Sequence, residues 1–297
     1  MLKKHKEEPL EINFLFMAEY PLVSIGMPVY NEERFIRASL ESIVAQDYPN
    51  IELIISDNAS TDNTGNICRE FSLQYDWITF HQRHQNHGPI DNFNYVLHKS
   101  KGKYFMWASG HDTWMNNYIS SCAHLLETHP KATIVFGCSN WINEHGKTFP
   151  KESGWTDTRG LSVIARYHTV LWGNMHPILG LINSNALKQS KLLSTVGADL
   201  IALASLSLQG DFIHAANTHW SRREFRNENT YEDKLKRYKS SEYEISKTIF
   251  SRAFPLLRLP FELFKSVVKS NISLTDKIFI FFLLIPGLPI KYLSSRF

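Results

Sequence analysis

PLVSIGMPVYNEERFIRASLESIVAQDYPNIELIISDNASTDNT, residues 21–64, is the stretch on which the fold turns. Residues 22–27 are apolar and partly β-branched, which predicts a strand ending at Pro28. Asn31 is placed to cap a helix, with Glu32 and Glu33 in a first turn where carboxylates suit the helix dipole. Ile36, Leu40, Ile43 and Val44 give that helix one apolar face, and DYPN (47–50) stops it. IELIIS (51–56) reads as a second strand, and the polar loop DNASTDNTGN (57–66) follows.

Working outward, the alternation persists. A helix to about residue 75, a strand at 77–81, a loop holding Asn86 and Gly88, a helix around 92–97 and a strand at 103–108 are predicted. Strands alternating with helices indicate βαβ units, so the expected class is α/β with a mostly parallel sheet. Ligands of such sheets bind beyond the carboxyl ends of the strands. PVYNEE (28–33), SDNASTDN (56–63) and SGHDTW (109–114) lie at three such ends and are expected to meet. Further on come a helix at 116–129, a strand at 132–138 and a long irregular region to about residue 180 that reads as a lid or binding element. GADLIALASLSLQGDFIHAA (197–216) reads as a helix, a Gly stop and a strand. From residue 231 the signals are helical and basic, with breaks at Pro255 and Pro260.

With 43% hydrophobic and 21% charged residues among 297, the composition is that of an ordinary globular protein. The net charge of +3 is unevenly placed: residues 233–297 carry 12 Lys or Arg against 5 Asp or Glu. Such a tail fits a polyanion, an anionic membrane surface or a simple solvated helical region. Neither GxGxxG nor GxxxxGK[ST] occurs, which removes support for a dinucleotide fold or a P-loop. No nucleic-acid module is recognisable, so no nucleic-acid partner is expected. Cys68, Cys122 and Cys138 are widely spaced and form no metal pattern, so buried thiols in a reducing, cytoplasmic compartment are expected. No signal peptide is expected at the N-terminus, which lacks an uninterrupted apolar core. The longest apolar run, IFIFFLLIPGLPI (278–290), is broken by Pro286, Gly287 and Pro289 and is shorter than the roughly 18–20 residues of a membrane span. Flanked by basic residues, it fits peripheral contact with an anionic membrane or a helical hairpin packed on the protein or a partner subunit.

These motifs carry a likeness. Residues 21–64 resemble the opening of the family 2 glycosyltransferases, which have the GT-A fold. The likeness continues through NHGPIDNFNYVLHKSKGKYFMWASGHDTW (86–114) and, more weakly, through HPILGLINSNALK (176–188), GADLIALASLSLQGDF (197–212) and WSRREFRNE (220–228), covering about two-thirds of the chain. The resemblance implies a GT-A three-layer sandwich with a helical C-terminal extension. It divides the chain into a tail (1–20), a catalytic domain (21–230, with its nucleotide-sugar half at 21–114 and acceptor half at 115–230) and a basic, apolar-rich extension (231–297). It implies an inverting enzyme that moves a sugar from a nucleotide diphosphate sugar, UDP-type favoured, to a hydroxyl of a glycan or lipid-linked acceptor. Mn²⁺ or Mg²⁺ would bind at an Asp-x-Asp type element. The alternative is a catalytically weakened nucleotide-sugar binding protein of the same fold. A nucleotidyltransferase would need a Gly-rich basic loop after the first strand, and PVYNEE has none.

The resemblance also proposes roles, each beside a plainer one. Pro28 and Tyr30 fall on the donor side, where an aromatic face stacks on a base for about 1–3 kcal/mol. Asp57 falls on the carboxylate that accepts from a uracil-type N–H, or is a turn residue. Glu32 is a donor contact or a helix-end charge, and Asp62 reads as a helix start. Asn86, Gly88 and Asn92 form the loop beneath the donor, or shape a turn and cap a helix. Asp112 falls on the metal-binding aspartate, but Gly110 and His111 stand where relatives carry a further carboxylate. One carboxylate with one imidazole favours Mn²⁺ over Mg²⁺; otherwise His111 points away and the site relies on Asp112, diphosphate and water. Asp199 falls on the catalytic base, or is a first-turn residue favoured by the dipole; Asp211 reads as structural. Arg222 and Arg223 reach the diphosphate or pair with Glu224. His219 is a candidate third ligand, and Trp155, Trp172 and His176 lie where an acceptor would be gripped.

Overall fold

The computed structural model describes residues 20–151, 157–173, 176–190, 197–225 and 258–294. In chain order the first half comprises β1 (Val23–Val29), α1 (Ile36–Val44), β2 (Ile51–Asp57), α2 (Thr64–Gln74), β3 (Ile78–Gln82), α3 (Pro89–Lys99) and β4 (Tyr104–Trp107). The second half adds β5 (Thr113–Trp114), α4 (Tyr118–Thr128), β6 (Ala132–Ile142), β7 (Thr148–Phe149), α5 (Val163–Trp172), a 3₁₀ turn (His176–Leu179), β8 (Leu181–Asn183), α6 (Ser184–Lys188), α7 (Ala198–Gln209) and β9 (Asp211–Arg223). Two further helices follow, α8 (Arg258–Lys269) and α9 (Leu274–Ser294).

Among the described residues the sheet runs β3-β2-β1-β4-β8-β6-β9-β5, with β7 on β6. Strands β1 to β4 pair in parallel, the expected βαβ block. Beyond them the sheet is mixed, because β8 runs antiparallel to both β4 and β6, while β9 is parallel to β6 and antiparallel to β5. The strands are apolar almost without break because both faces are covered. Tyr104, Met106 and Ala108 enter the core shared with α1, α2 and α4, while Phe105 and Trp107 enter the one shared with α3 and α7. Helix α7 buries apolar residues on two sides for the same reason. One side meets the sheet; on the other Leu200, Ile201, Ala204 and Leu208 pack with Tyr167 and Leu171 of α5, Leu263 and Val267 of α8, and Ile280 and Leu284 of α9.

Three local expectations are corrected. Asn31 caps no helix: its φ is +53°, in the left-handed region that Asn tolerates, and α1 begins only at Ile36, after a turn opened by the Glu32 carbonyl. Pro260 does not break α8, because it sits in the first turn, where its missing N–H had no helical partner to lose. Pro286, Gly287 and Pro289 do not break α9, whose buried Ile280 and Leu284 anchor it against α5 and α8 one turn upstream. No helix of the described residues is long and apolar enough to cross a membrane. Pro255, Trp155 and residues 1–19 lie outside the described residues. Cys68 and Cys122 are buried free thiols, and burial raises the pKa of both.

Candidate active site

A cleft opens at the carboxyl ends because β1 outlasts one neighbour. Its pairing with β4 stops at Gly26 opposite Trp107, whereas its pairing with β2 continues to Val29 opposite Asp57. Pro28 lies past that divergence, where a missing N–H costs no bond to β4. Beyond it, the two loops after β1 and β2 latch together. The Asn31 amide donates to Ser60 Oγ (2.9 Å), Asn31 Oδ1 accepts from the Thr61 amide (2.9 Å), and the Glu32 amide donates to Thr64 Oγ1 (2.8 Å). Asp62 accepts from the amides of Thr64 (3.0 Å) and Glu33 (3.1 Å), the helix-start role its position suggests. Tyr30 is left 43% exposed above this latch.

Asp57, fully buried at the end of β2, spends one oxygen locally: Oδ1 accepts from the Ser60 amide (3.0 Å) and hydroxyl (2.5 Å). Its Oδ2 is buried with no hydrogen-bond partner among the described residues. A Cβ on Gly65 would lie 3.0 Å from that oxygen and 3.2 Å from Gln82 Nε2, so only glycine leaves the space beside it open. Just past β3, the Arg83 amide donates to the Asp57 carbonyl (2.9 Å) and its Nη1 is also buried without a partner among the described residues. Gly65, Gln82 and Arg83 escape a motif reading, since nothing local marks them as neighbours of Asp57. Behind them Asn58 ties down the loop 86–88: its Nδ2 donates to Asn86 Oδ1 (2.8 Å) and the Gly88 carbonyl (3.2 Å), and its Oδ1 accepts from the His87 amide (3.0 Å). Asn92 is turned inward. It accepts from Ser56 Oγ (2.6 Å) and donates to the carbonyls of Ser56 (2.9 Å) and Val29 (3.4 Å), splicing the ends of β1 and β2 rather than facing a ligand.

On the other side of Tyr30 stands a histidine held by a carboxylate. Glu32 Oε1 lies 3.0 Å from His111 Nδ1, and because a carboxylate only accepts, Nδ1 carries the proton and Nε2 is left for a ligand. Gly110 makes room: a Cβ there would come within 3.0 Å of Glu32 Cγ and 3.1 Å of Val29 Cγ1. His111 Nε2 is 4.0 Å from Asp112 Oδ1. Asp112 itself is only 2% exposed, and its Oδ1 accepts from the Arg223 amide (2.8 Å), pinning β9 to the loop. The Arg223 guanidinium is engaged by the carbonyls of His111 (3.0 Å), Asn143 (3.0 Å) and Glu144 (3.2 Å) and lies 4.6 Å over Phe35, so it braces the loop. Phe35 and Phe225 floor the histidine, with Phe225 5.2 Å from its ring.

Arg222, one residue earlier, faces the other half. Burial lowers its pKa, opposed by the charges of Asp112, Glu224 and Asp199, and it lies 4.7 Å over the Trp141 ring. Lys151 stacks on the same ring at 4.0 Å and pairs with Glu224 at 2.9 Å. Asp199 sits in the first turn of α7, where burial raises its pKa and Arg222 opposes the rise. His176 lies 3.5 Å from Ser139 and 5.3 Å from the Trp141 ring, its pKa lowered to about 4 by burial and by Arg222 and Lys151. Trp172 is elsewhere, exposed at the end of α5 beside Gly287. Asp211 is structural, bound to Arg166 at 2.6 Å. Among the described residues no three His, Cys, Asp or Glu gather to hold a metal, and His219 joins no such group. The two groups that could share a divalent ion are the His111 imidazole and the Asp112 carboxylate, 4.0 Å apart, with Glu32 holding the imidazole from its other nitrogen.

The family model described as Glycosyl transferase family 2 matches residues 24–178, more than half of the chain. A protein of Rickettsia bellii named an uncharacterized glycosyltransferase is 35% identical over 130 residues, 43% of this chain and 18% of its own length. A Mycobacterium tuberculosis protein is 34% identical over 153 residues, 49% of this chain and 43% of its own. The chain thus spans less than half the length of these curated relatives. Among solved structures, S. aureus TarS 1–349 in complex with UDP-GlcNAc aligns with TM-score 0.64 and 16% identity, over 86% of this chain and 69% of that one. The mannosyltransferase PcManGT from Pyrobaculum calidifontis, in complex with GDP-Man and Mn²⁺, aligns with TM-score 0.53 and 19% identity, over 91% and 80%. At these identities the likeness establishes the fold, GT-A.

Proposed function

Because the chain belongs to glycosyl transferase family 2, we propose that it transfers a sugar, with inversion, from a UDP-type nucleotide diphosphate sugar to a hydroxyl of a glycan or lipid-linked acceptor. One observation carries the donor half: a buried carboxylate oxygen without a partner, Asp57 Oδ2, at the strand end next to an exposed Tyr30. A buried acceptor left unsatisfied costs about 1–3 kcal/mol, which a base N–H would recover. Tyr30 stacks on the base, and the loop held by Asn58 and Asn86 supports the donor from below. Pro28 and Asn92 shape this cleft, and Arg83 offers its unpartnered Nη1 to a base carbonyl.

His111 Nε2 and the Asp112 carboxylate would hold a divalent ion, Mn²⁺ in preference to Mg²⁺, with diphosphate and water completing its shell. Such an ion supplies a Lewis acid that offsets charge on the departing diphosphate. Glu32 orients His111, and Arg223 braces the loop that carries both. Asp199 takes the proton of the acceptor hydroxyl; a carboxylate made more basic by burial suits that task nearer neutral pH. Arg222, beside Asp112 and Asp199, adds positive charge between the two halves.

A panel of UDP-, GDP- and CDP-sugars, read by thermal shift with and without Mn²⁺ and then by donor hydrolysis, tests this reading. UDP-sugars should stabilise the protein and be hydrolysed slowly without acceptor. If no nucleotide sugar stabilises it, the reading fails. The thin donor set for a metal keeps one rival in play, a nucleotide-sugar binder of weakened catalysis; binding without hydrolysis would select it.

A further inference from the structure

The outward half of α9 is apolar but for the hydroxyl of Thr275 in its first turn. Leu274, Ile278, Phe279, Phe282, Leu283 and Ile285 are each at least 41% exposed, and Leu274 and Phe282 exceed 70%. The opposite half buries Ile280 and Leu284 completely. Among the described side chains the charges stand at the edge: Asp276 is bound to Ser273 at the start of the helix, and Lys277 Nζ donates to the Val268 carbonyl (2.9 Å). Helix α8 extends the surface with Phe261 (63% exposed) and Val268 (60%), and Lys265 reaches within 5.9 Å of the Phe261 ring. At the rim, exposed Trp172 comes within 3.7 Å of the Cβ position of Gly287.

Contiguous exposed apolar patches beyond a few hundred Å² mark interaction sites. A protein partner commonly brings about one hydrogen bond per 100–200 Å² of interface, and the side chains of this arc offer no charged group to receive one. Its borders are basic: residues 258–294 carry five Lys or Arg against two Asp or Glu, and one of those acids, Glu262, is paired with Lys265 at 3.4 Å. An apolar face with basic flanks on a helix that does not qualify as a span matches a helix lying in the plane of a lipid surface. Trp172 then stands at the level where indole rings favour the boundary between apolar chains and water.

We propose that α8 and α9 form a docking surface for an anionic lipid bilayer, with Phe279, Phe282 and Ile285 inserted among the acyl chains and Lys265 and Lys269 set against the headgroup phosphates. The cleft that binds the donor plays no part in this contact, so it stands or falls apart from the enzymatic reading.

Flotation of the full chain with phosphatidylcholine vesicles, with and without phosphatidylglycerol, at low and high salt, tests it. The protein should float with the anionic vesicles at low salt, be released by high salt, and show a blue shift of tryptophan emission that Trp172→Phe removes. The double variant Phe279→Glu, Phe282→Glu touches only exposed positions, so it should keep the wild-type Tm while binding falls about tenfold or more. Absence of flotation at low salt, or equal flotation of the double variant, overturns the proposal. So does a concentration-dependent dimer, seen by sedimentation, that the double variant abolishes while neither protein floats; that result assigns the face to a second copy of the chain.

Discussion

Asp57→Asn separates recognition from packing, because the two oxygens of this carboxylate do different work. Oδ1 accepts from the Ser60 amide and hydroxyl, and an asparagine Oδ1 preserves both bonds. Oδ2 is the buried, unpartnered oxygen, and the substitution replaces it with an NH₂ that cannot accept from a base. A hydrogen bond to a charged group contributes about 1.5–3 kcal/mol. At 1.36 kcal/mol per factor of ten, the variant should bind UDP about 10- to 150-fold more weakly. The free protein should change little in Tm, because the Ser60 bonds to Oδ1 persist and one buried polar atom without a partner replaces another. Titration calorimetry with UDP and a thermal melt of the free protein read the two effects separately. Unchanged UDP affinity would refute the recognition role. A fall in both affinity and Tm would show that Asp57 holds the β2 end together, and the argument from its lone oxygen would fail.

Three further substitutions carry expected outcomes. Gly110→Ala forces Glu32 away from His111, so Mn²⁺ affinity measured by electron paramagnetic resonance should fall about 10-fold or more, and unchanged affinity would detach Glu32 from the metal side. Asp199→Asn should retain UDP binding and lose about 10²–10⁴-fold in transfer, while in the wild type transfer should decline as pH falls through a pKa above the ordinary carboxylate range. The raised pKa also sets a sign for stability. The fold holds this proton more tightly than the unfolded chain does, so the contribution is present below the ordinary pKa and fades as pH rises through the raised one; Asp199→Asn should therefore be more stable than wild type at pH 7. Asp211→Ala leaves Arg166 largely buried and unpaired, and urea unfolding should report a loss of about 3 kcal/mol, with little change in donor binding.

The tail shows how far local signals reach. Its apolar density and basic flanks are visible in residues 256–290, yet whether such a segment packs or stays open depends on what it meets. The structure divides α9 by side: Ile280 and Leu284 go into a core with α5, α7 and α8, and the other half is left outward. Prolines that read as breaks lie within continuous helix, since the contacts that hold α9 include residues of α5 and α7 some eighty to a hundred positions away.

What the order of residues alone determined is the alternation of strand and helix and the gathering of three polar loops at the strand ends. Both rest on hydrophobic period and end signals that act over a few residues. Tertiary structure decided which side chains of those loops meet one another. Glu32 finds His111 across 79 positions, the Arg223 amide finds Asp112 across 111, and Asn92 turns inward to Ser56 because the end of β2 lies there. Neighbours so distant in the chain have no shared local pattern to betray them; only the packed sheet brings them within hydrogen-bond reach.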